Sequence, residues 1–284
     1  MPPRPCRAII LEMGQSLALA FVIAAVAVIA GCAGGSSSTS QSPAPWDRAV
    51  PSRPKALARA LSATDAELRG AIGEWRAEPG APSGAPPDAV SNRAMYVQRA
   101  VQSLSEHPRL AHTTTAQLPS RLAHEVRDLS AAFRDLGRLS AGLSTDRVRT
   151  GPPTPLDELR RSYRDAERRF DVKWPVLAAI NLVESGFGRV RSQSVAGAQG
   201  PMQFVPSTWR AYGLGGDVRD PGDAILGAAN FLRHAGAPGD YPGALYAYNP
   251  SRLYVDAISR YARVIERDPE ALYLLYSWPV GAGD

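Results

Sequence analysis

The stretch LAAINLVESGFGR, Leu177 to Arg189, decides how this chain of 284 residues is read. Trp174-Pro175 opens it, and proline suits a first helical position because its missing N–H would have no intrahelical partner there. Val176 to Val183 is apolar except at Asn181, the pattern of a helix buried on most sides. Gly186 and Gly188 end it. Glu184 therefore lies in the last turn of a buried helix. Burial disfavours its charge, and so does the negative end of the helix dipole. Both raise its pKa, and a carboxyl that keeps its proton near neutral pH is what a general acid needs. A half-exposed Glu paired with one of the many arginines is the alternative that position alone leaves open.

Working outward, SVAGAQGPMQFVPSTW runs from Ser194 to Trp209. Its first half is small and Gly-rich, so backbone can approach a ligand closely. Met202, Gln203 and Phe204 then present an apolar contact, an amide and a ring together. Further on, Ala247-Tyr248-Asn249-Pro250 offers another aromatic and amide pair, read as a turn. Rings with amides suit sugars, whose faces are apolar and whose rims are hydroxyls.

Taken in order, Glu184-Ser185, then Ser194-Val195-Ala196-Gly197-Ala198-Gln199-Gly200-Pro201-Met202-Gln203, then Ala247-Tyr248-Asn249 resembles the lytic transglycosylases of the goose-type-lysozyme-like family. The resemblance runs from about Leu156 to Trp278, and Pro201 stands where many members carry Leu or Tyr. It implies an all-α fold: a lysozyme-like catalytic domain preceded by a helical accessory region. It implies peptidoglycan glycan strands as substrate, cut between N-acetylmuramic acid and N-acetylglucosamine. Glu184 would be acid and then base, and the muramoyl 6-hydroxyl would attack internally to give a 1,6-anhydro ring. Ser194, Gln203, Phe204, Tyr246, Tyr248 and Asn249 would line the cleft. A muramidase using water, and a non-catalytic glycan-binding lipoprotein, are the competing readings. Asp223 and Asp240 are the acids to watch for a second carboxylate near Glu184.

Residues 1–32 read as an export signal. Arg4 and Arg7 precede a 14-residue apolar run, Leu17 to Ala30, short for a membrane span and suited to a signal core. Ile29-Ala30-Gly31-Cys32 resembles a lipobox, in which Cys32 becomes the lipidated first residue and anchors the protein to a membrane of the cell envelope. Residues 33–55 are rich in Gly, Ser and Pro, a tether with too few apolar residues to pack. Residues 56–142 hold three amphipathic helical patterns: Leu57 to Trp75, Val90 to Leu104 with Asp88 as cap, and Ser120 to Leu139. They form an accessory region to which the sequence assigns no chemistry. Residues 143–155 are a second linker, with Thr154 placed to cap the next helix. Residues 156–284 are the catalytic domain.

The net charge is +5, and 30 of the 32 basic residues are arginine. From residue 156 onward the charges balance, so most of the excess lies between residues 33 and 155, with 15 basic and 11 acidic residues on an Arg-rich helical surface. Nothing resembles a nucleic-acid module. Cys6 and Cys32 are the only cysteines, the four histidines are scattered, and no cofactor or metal site is expected. No protein partner can be named.

Overall fold

Proline starts and alternating apolar and charged faces give a chain of short helices. The computed structural model describes residues 48–79, 85–141 and 148–279. Cys6, Cys32, the export signal and most of the first linker lie outside the described residues. In order the helices are α1 (Pro54–Ala77), α2 (Asp88–Glu106), α3 (Pro108–Thr115), α4 (Ser120–Leu139), α5 (Leu156–Phe170), α6 (Trp174–Ser185), α7 (Pro206–Tyr212), α8 (Pro221–His234), α9 (Tyr241–Tyr248), α10 (Arg252–Arg267) and α11 (Ala271–Tyr276). Among the described residues there is no β-strand, only the isolated bridges Thr150–Val190 and Gln199–Phe204. None of these helices is long and apolar enough to cross a membrane.

The helices from residue 156 onward wrap α6. It has almost no polar face: every residue from Pro175 to Ser185 is buried. It packs against α10, α5 and α8, while α5 lies along α8. Asp220 caps α8 by accepting from the Asp223 N–H, and Ser251 caps α10 by accepting from the Tyr254 N–H. Each such cap stabilises its helix by about 1 kcal/mol.

The most extensive helix pairing among the described residues is between α4 and α10. It joins the region before residue 142 to the region after residue 156. Leu129, Phe133 and Leu136 of α4 belong to the same core as Leu177, Tyr261 and Trp278, and so do Leu68 and Trp75 of α1. Phe133 meets Trp278 edge-on at 6.3 Å between ring centroids, and Trp75 meets Tyr273 at 5.6 Å. A smaller cluster of Leu57, Leu61, Leu104, Leu122 and Val126 ties α1, α2 and α4 to one another. The polar rim of the α4–α10 seam is ionic: Asp128 bonds Arg263 and Arg267, and Asp135 bonds Arg260.

Three local expectations differ from the structure. Asp88 falls inside the first turn of α2, with Pro87 at the cap position. Thr154 does not cap α5: its backbone N–H goes to the Phe187 carbonyl and its carbonyl accepts from the Tyr276 hydroxyl, so it ties the linker to the far end of α6. The Tyr248 turn is the last turn of a helix, α9. Asp240 starts that helix by accepting from the Gly243 N–H, and Asn249 caps its C-terminus.

Candidate active site

The site is built on the last turn of α6. Glu184 is 2% exposed there, and its Oε1 accepts a hydrogen bond of 2.7 Å from the Tyr254 hydroxyl of α10. Burial pushes the Glu184 carboxyl up to about 8; the Tyr254 hydrogen bond works in the opposite direction and loses. At neutral pH the carboxyl is mostly protonated. Tyr254 is held well above the ordinary phenol value, first by burial and then by the neighbouring carboxyl, so it stays an O–H donor. With Oε1 engaged as an acceptor, Oε2 is the oxygen left to carry and deliver the proton.

Two routes of contact join Glu184 to the Gly-rich loop. One runs through Ser185, whose hydroxyl donates to the Pro201 carbonyl at 2.6 Å and accepts from the Gly188 N–H at 2.8 Å. Asn181, one turn earlier, donates to the same carbonyl at 2.8 Å and accepts from the buried Tyr163 hydroxyl at 2.7 Å. The other route is aromatic. The Tyr254 ring stacks on Tyr248, with centroids 6.5 Å apart and planes 6° from parallel. The Tyr248 hydroxyl donates to the Met202 carbonyl at 2.7 Å, and its ring meets Phe204 and Phe231 edge-on.

The loop between them is tight. Gly200 has φ of +73°, and a Cβ there would lie 1.8 Å from the Val218 carbonyl oxygen, so only glycine fits. Gln203 has φ of +50°, a left-handed conformation that costs a non-glycine residue about 1–3 kcal/mol and is typical of functional sites. Its amide nitrogen donates to the Gly200 carbonyl at 2.9 Å, while its buried Oε1 has no partner among the described residues. An unpaired buried carbonyl is costly, roughly 1–3 kcal/mol, unless a ligand N–H or O–H meets it.

Residues 161–263 match the family model of the transglycosylase SLT domain. Neither the curated proteins nor the solved structures contain a match to this chain. The SLT match spans most of α5, all of α6 to α9 and most of α10, and every candidate catalytic or binding residue lies inside it. The fold there is the all-α, lysozyme-like one of the SLT domain.

Within the matched residues, Glu184, Gln203 and Tyr248 belong to one contact network, with Asn249 buried at the end of the Tyr248 helix. Ser194 pins the loop: its hydroxyl accepts from the Ala198 N–H at 3.0 Å. The Phe204 ring, 3% exposed, is packed between Trp209 and Tyr248 behind the loop. Tyr246 is not brought to the others. Two residues before Tyr248 on a helix, it points to the opposite side, 47% exposed, and lines a separate groove of about 560 Å³ with Arg252 and Asp256. Asp223 and Asp240 are engaged elsewhere, Asp223 by the Asp217 N–H and Asp240 by the Gly243 N–H. Two members of the network escape a reading of the sequence, Tyr254 and Asn181. Tyr254 sits on the apolar stripe of α10 and reads as core; Asn181 is visible only as the one polar residue in an apolar helix.

Proposed function

We propose that this protein is a peptidoglycan lytic transglycosylase that cleaves the bond between N-acetylmuramic acid and N-acetylglucosamine and leaves a 1,6-anhydromuramoyl end. The observation that carries the reading is a buried carboxyl, Glu184, hydrogen-bonded by the Tyr254 hydroxyl, with burial and that bond, and no other acid, setting its proton affinity. Ordinary glycosidases place two carboxyl groups about 5–9.5 Å apart. Where one carboxyl acts alone it serves as acid and then as base, and a hydroxyl of the substrate itself can be the acceptor. Glu184 Oε2 gives its proton to the departing glycosidic oxygen. The carboxylate, stabilised by the Tyr254 hydroxyl, then takes the proton of the muramoyl 6-hydroxyl as that oxygen closes on the anomeric carbon. The hydroxyl is already tethered to the sugar, so ring closure gains the advantage of an intramolecular reaction. The free Oε1 of Gln203 suits an N–H or O–H of the bound sugar.

The deciding experiment is mass spectrometry of products from purified glycan strands, wild type against Glu184→Gln. Anhydro-muropeptides that disappear in the variant support the proposal. Reducing ends would make the reaction hydrolysis, and an inactive wild type that still binds glycan would make the protein a scaffold. We also propose that the enzyme is exported and anchored in the cell envelope through a lipid on Cys32. Cys32→Ser should move it from the membrane fraction to the soluble one; unchanged fractionation would end that reading.

A further inference from the structure

Beside the Gly-rich loop lies a cavity of about 230 Å³ whose walls include Arg149, Arg191 and Arg219 together with Gly188, Gly200 and Pro201. Among the described residues no carboxylate lines it. Asp217, the nearest acid in sequence, takes the Arg219 backbone N–H at 2.9 Å and forms no ion pair with that guanidinium. The three cations are positioned rather than adrift. The Arg191 guanidinium donates to the Pro152 carbonyl at 2.7 Å, and that of Arg219 donates to Gln199 Oε1 at 3.1 Å. Arg149 is fixed through its backbone: its N–H donates to Ser192 Oγ at 2.9 Å, and its carbonyl accepts from the Arg191 N–H at 2.9 Å. The Thr150–Val190 bridge completes that clamp, so the segment before α5 lends a third arginine to a loop of the SLT domain. Each guanidinium keeps N–H groups free, in a concave site that concentrates positive potential.

The place of the cavity limits what can reach it. Gly188 is four residues from Glu184, and Pro201 two from Gln203, so their Cα atoms lie within about 14 Å and about 7 Å of those residues. The Pro201 carbonyl is the one held by Ser185 and Asn181. A ligand here is thus within reach of Glu184 and Gln203. We propose that this cavity is a carboxylate-binding subsite that receives the acidic stem peptide carried by the muramoyl residue of the strand. A stem peptide of three to five residues extends about 10–17 Å, enough to span from the cleft. Planar guanidinium groups pair with carboxylates by two parallel hydrogen bonds. The subsite selects strands that still carry peptides. It rests on the glycan-strand reading above.

The test is binding, so that it does not depend on cleavage. The full chain carrying Glu184→Gln is titrated calorimetrically with N-acetylmuramoyl-L-alanyl-D-glutamate, with the same compound amidated at both glutamate carboxyls, and with inorganic phosphate. The acid form should bind at least tenfold more tightly than the diamide. Arg149→Gln and Arg219→Gln should each weaken it about tenfold, and the Lys variants at those positions less, in proteins whose melting temperatures match the parent. In the otherwise wild-type enzyme the same Gln variants should lower the ratio of kcat/KM on peptide-bearing to peptide-stripped strands about tenfold. Equal binding of acid and diamide, or binding untouched by the Arg→Gln variants, overturns the proposal. Phosphate binding without binding of the muramoyl acid overturns it too and makes the cavity a phosphate site. An enzyme that cleaves no glycan but binds the acid form through these arginines would sink the lytic reading and leave the subsite standing.

Discussion

At the scale of the residue, the chemistry reduces to where one proton sits. Glu184 holds it because a buried carboxylate loses its hydration, an effect larger here than the one hydrogen bond that Tyr254 gives to the charged form. In the proposed mechanism the acid form acts in the first step, so activity should be lost as pH rises through the Glu184 pKa. We expect kcat/KM on glycan strands to fall above about pH 8. Tyr254→Phe removes the hydrogen bond that lowers this pKa. Its alkaline limb should therefore move to higher pH, while the rate at neutral pH drops about tenfold because, in that mechanism, the carboxylate of the second step loses its donor. A limb that moves down or stays in place would show that Tyr254 does not tune Glu184. The pH profile of kcat/KM, not the rate alone, separates tuning from loss of packing.

At the scale of the element, α6 and the loop after it act as one unit because of Ser185. Its hydroxyl serves both the Pro201 carbonyl, which it shares with Asn181, and the Gly188 N–H. Ser185→Ala should lower stability by roughly 1–3 kcal/mol in a urea melt and also reduce activity, since the Gly188 N–H loses its acceptor and the Pro201 carbonyl, two residues before Gln203, keeps only Asn181. A variant as stable as wild type would refute the role. The helix itself was legible in the sequence: Pro175, an apolar run and Gly186 are signals of strictly local origin. So was Glu184, because a lone acid at the end of such a helix is desolvated at a cost that packing alone does not repay. Amphipathic stripes likewise announced α1, α2 and α4. What escaped were features set by distant partners. Tyr254 is one side chain of an apolar stripe until the fold turns its hydroxyl toward Glu184. Tyr246 and Tyr248 look equivalent in the sequence, and only the helical register of α9 sends one to the network and the other to solvent. Thr154 looks like a cap until Phe187 and Tyr276 claim its backbone.

At the scale of the whole molecule, the question is whether α1–α4 are a separable accessory. A layer of charge joins them to the rest: Asp65 and Arg69 of α1, Arg121 and Glu125 of α4, and Asp268 after α10. Burial raises the Glu125 carboxyl to about 7; Arg121 and Arg69 pull it down, and Asp65 and Asp268 push it further up. The folded state thus keeps a proton that the unfolded chain releases above about pH 4.5. Stability from this group is lost as pH rises from about 4.5 to about 7 and changes no further above that. Glu125→Gln should therefore gain melting temperature relative to wild type between pH 5 and pH 8, and an equal fall in both proteins would refute the assignment. Beneath the charges the seam is apolar. Leu129, Phe133, Leu136 and Trp75 are all nearly inaccessible within the shared core, and burial of each contributes about 2 kcal/mol. Together with the rest of the α4–α10 contact, that approaches the whole net stability of a typical domain, about 5–15 kcal/mol. A fragment of residues 156–284 would bare Tyr261, Trp278 and the outer face of α10 to water. It should be aggregated or molten, with weak near-ultraviolet circular dichroism and no wall-lytic activity, although it contains Glu184 and the entire SLT match. Adding residues 48–155 in trans should restore a cooperative melt if the defect is the missing cover. A fragment that melts cooperatively and cleaves glycan at the full-length rate would instead make α1–α4 an independent arm, with the α4–α10 seam an interface between two self-sufficient bodies.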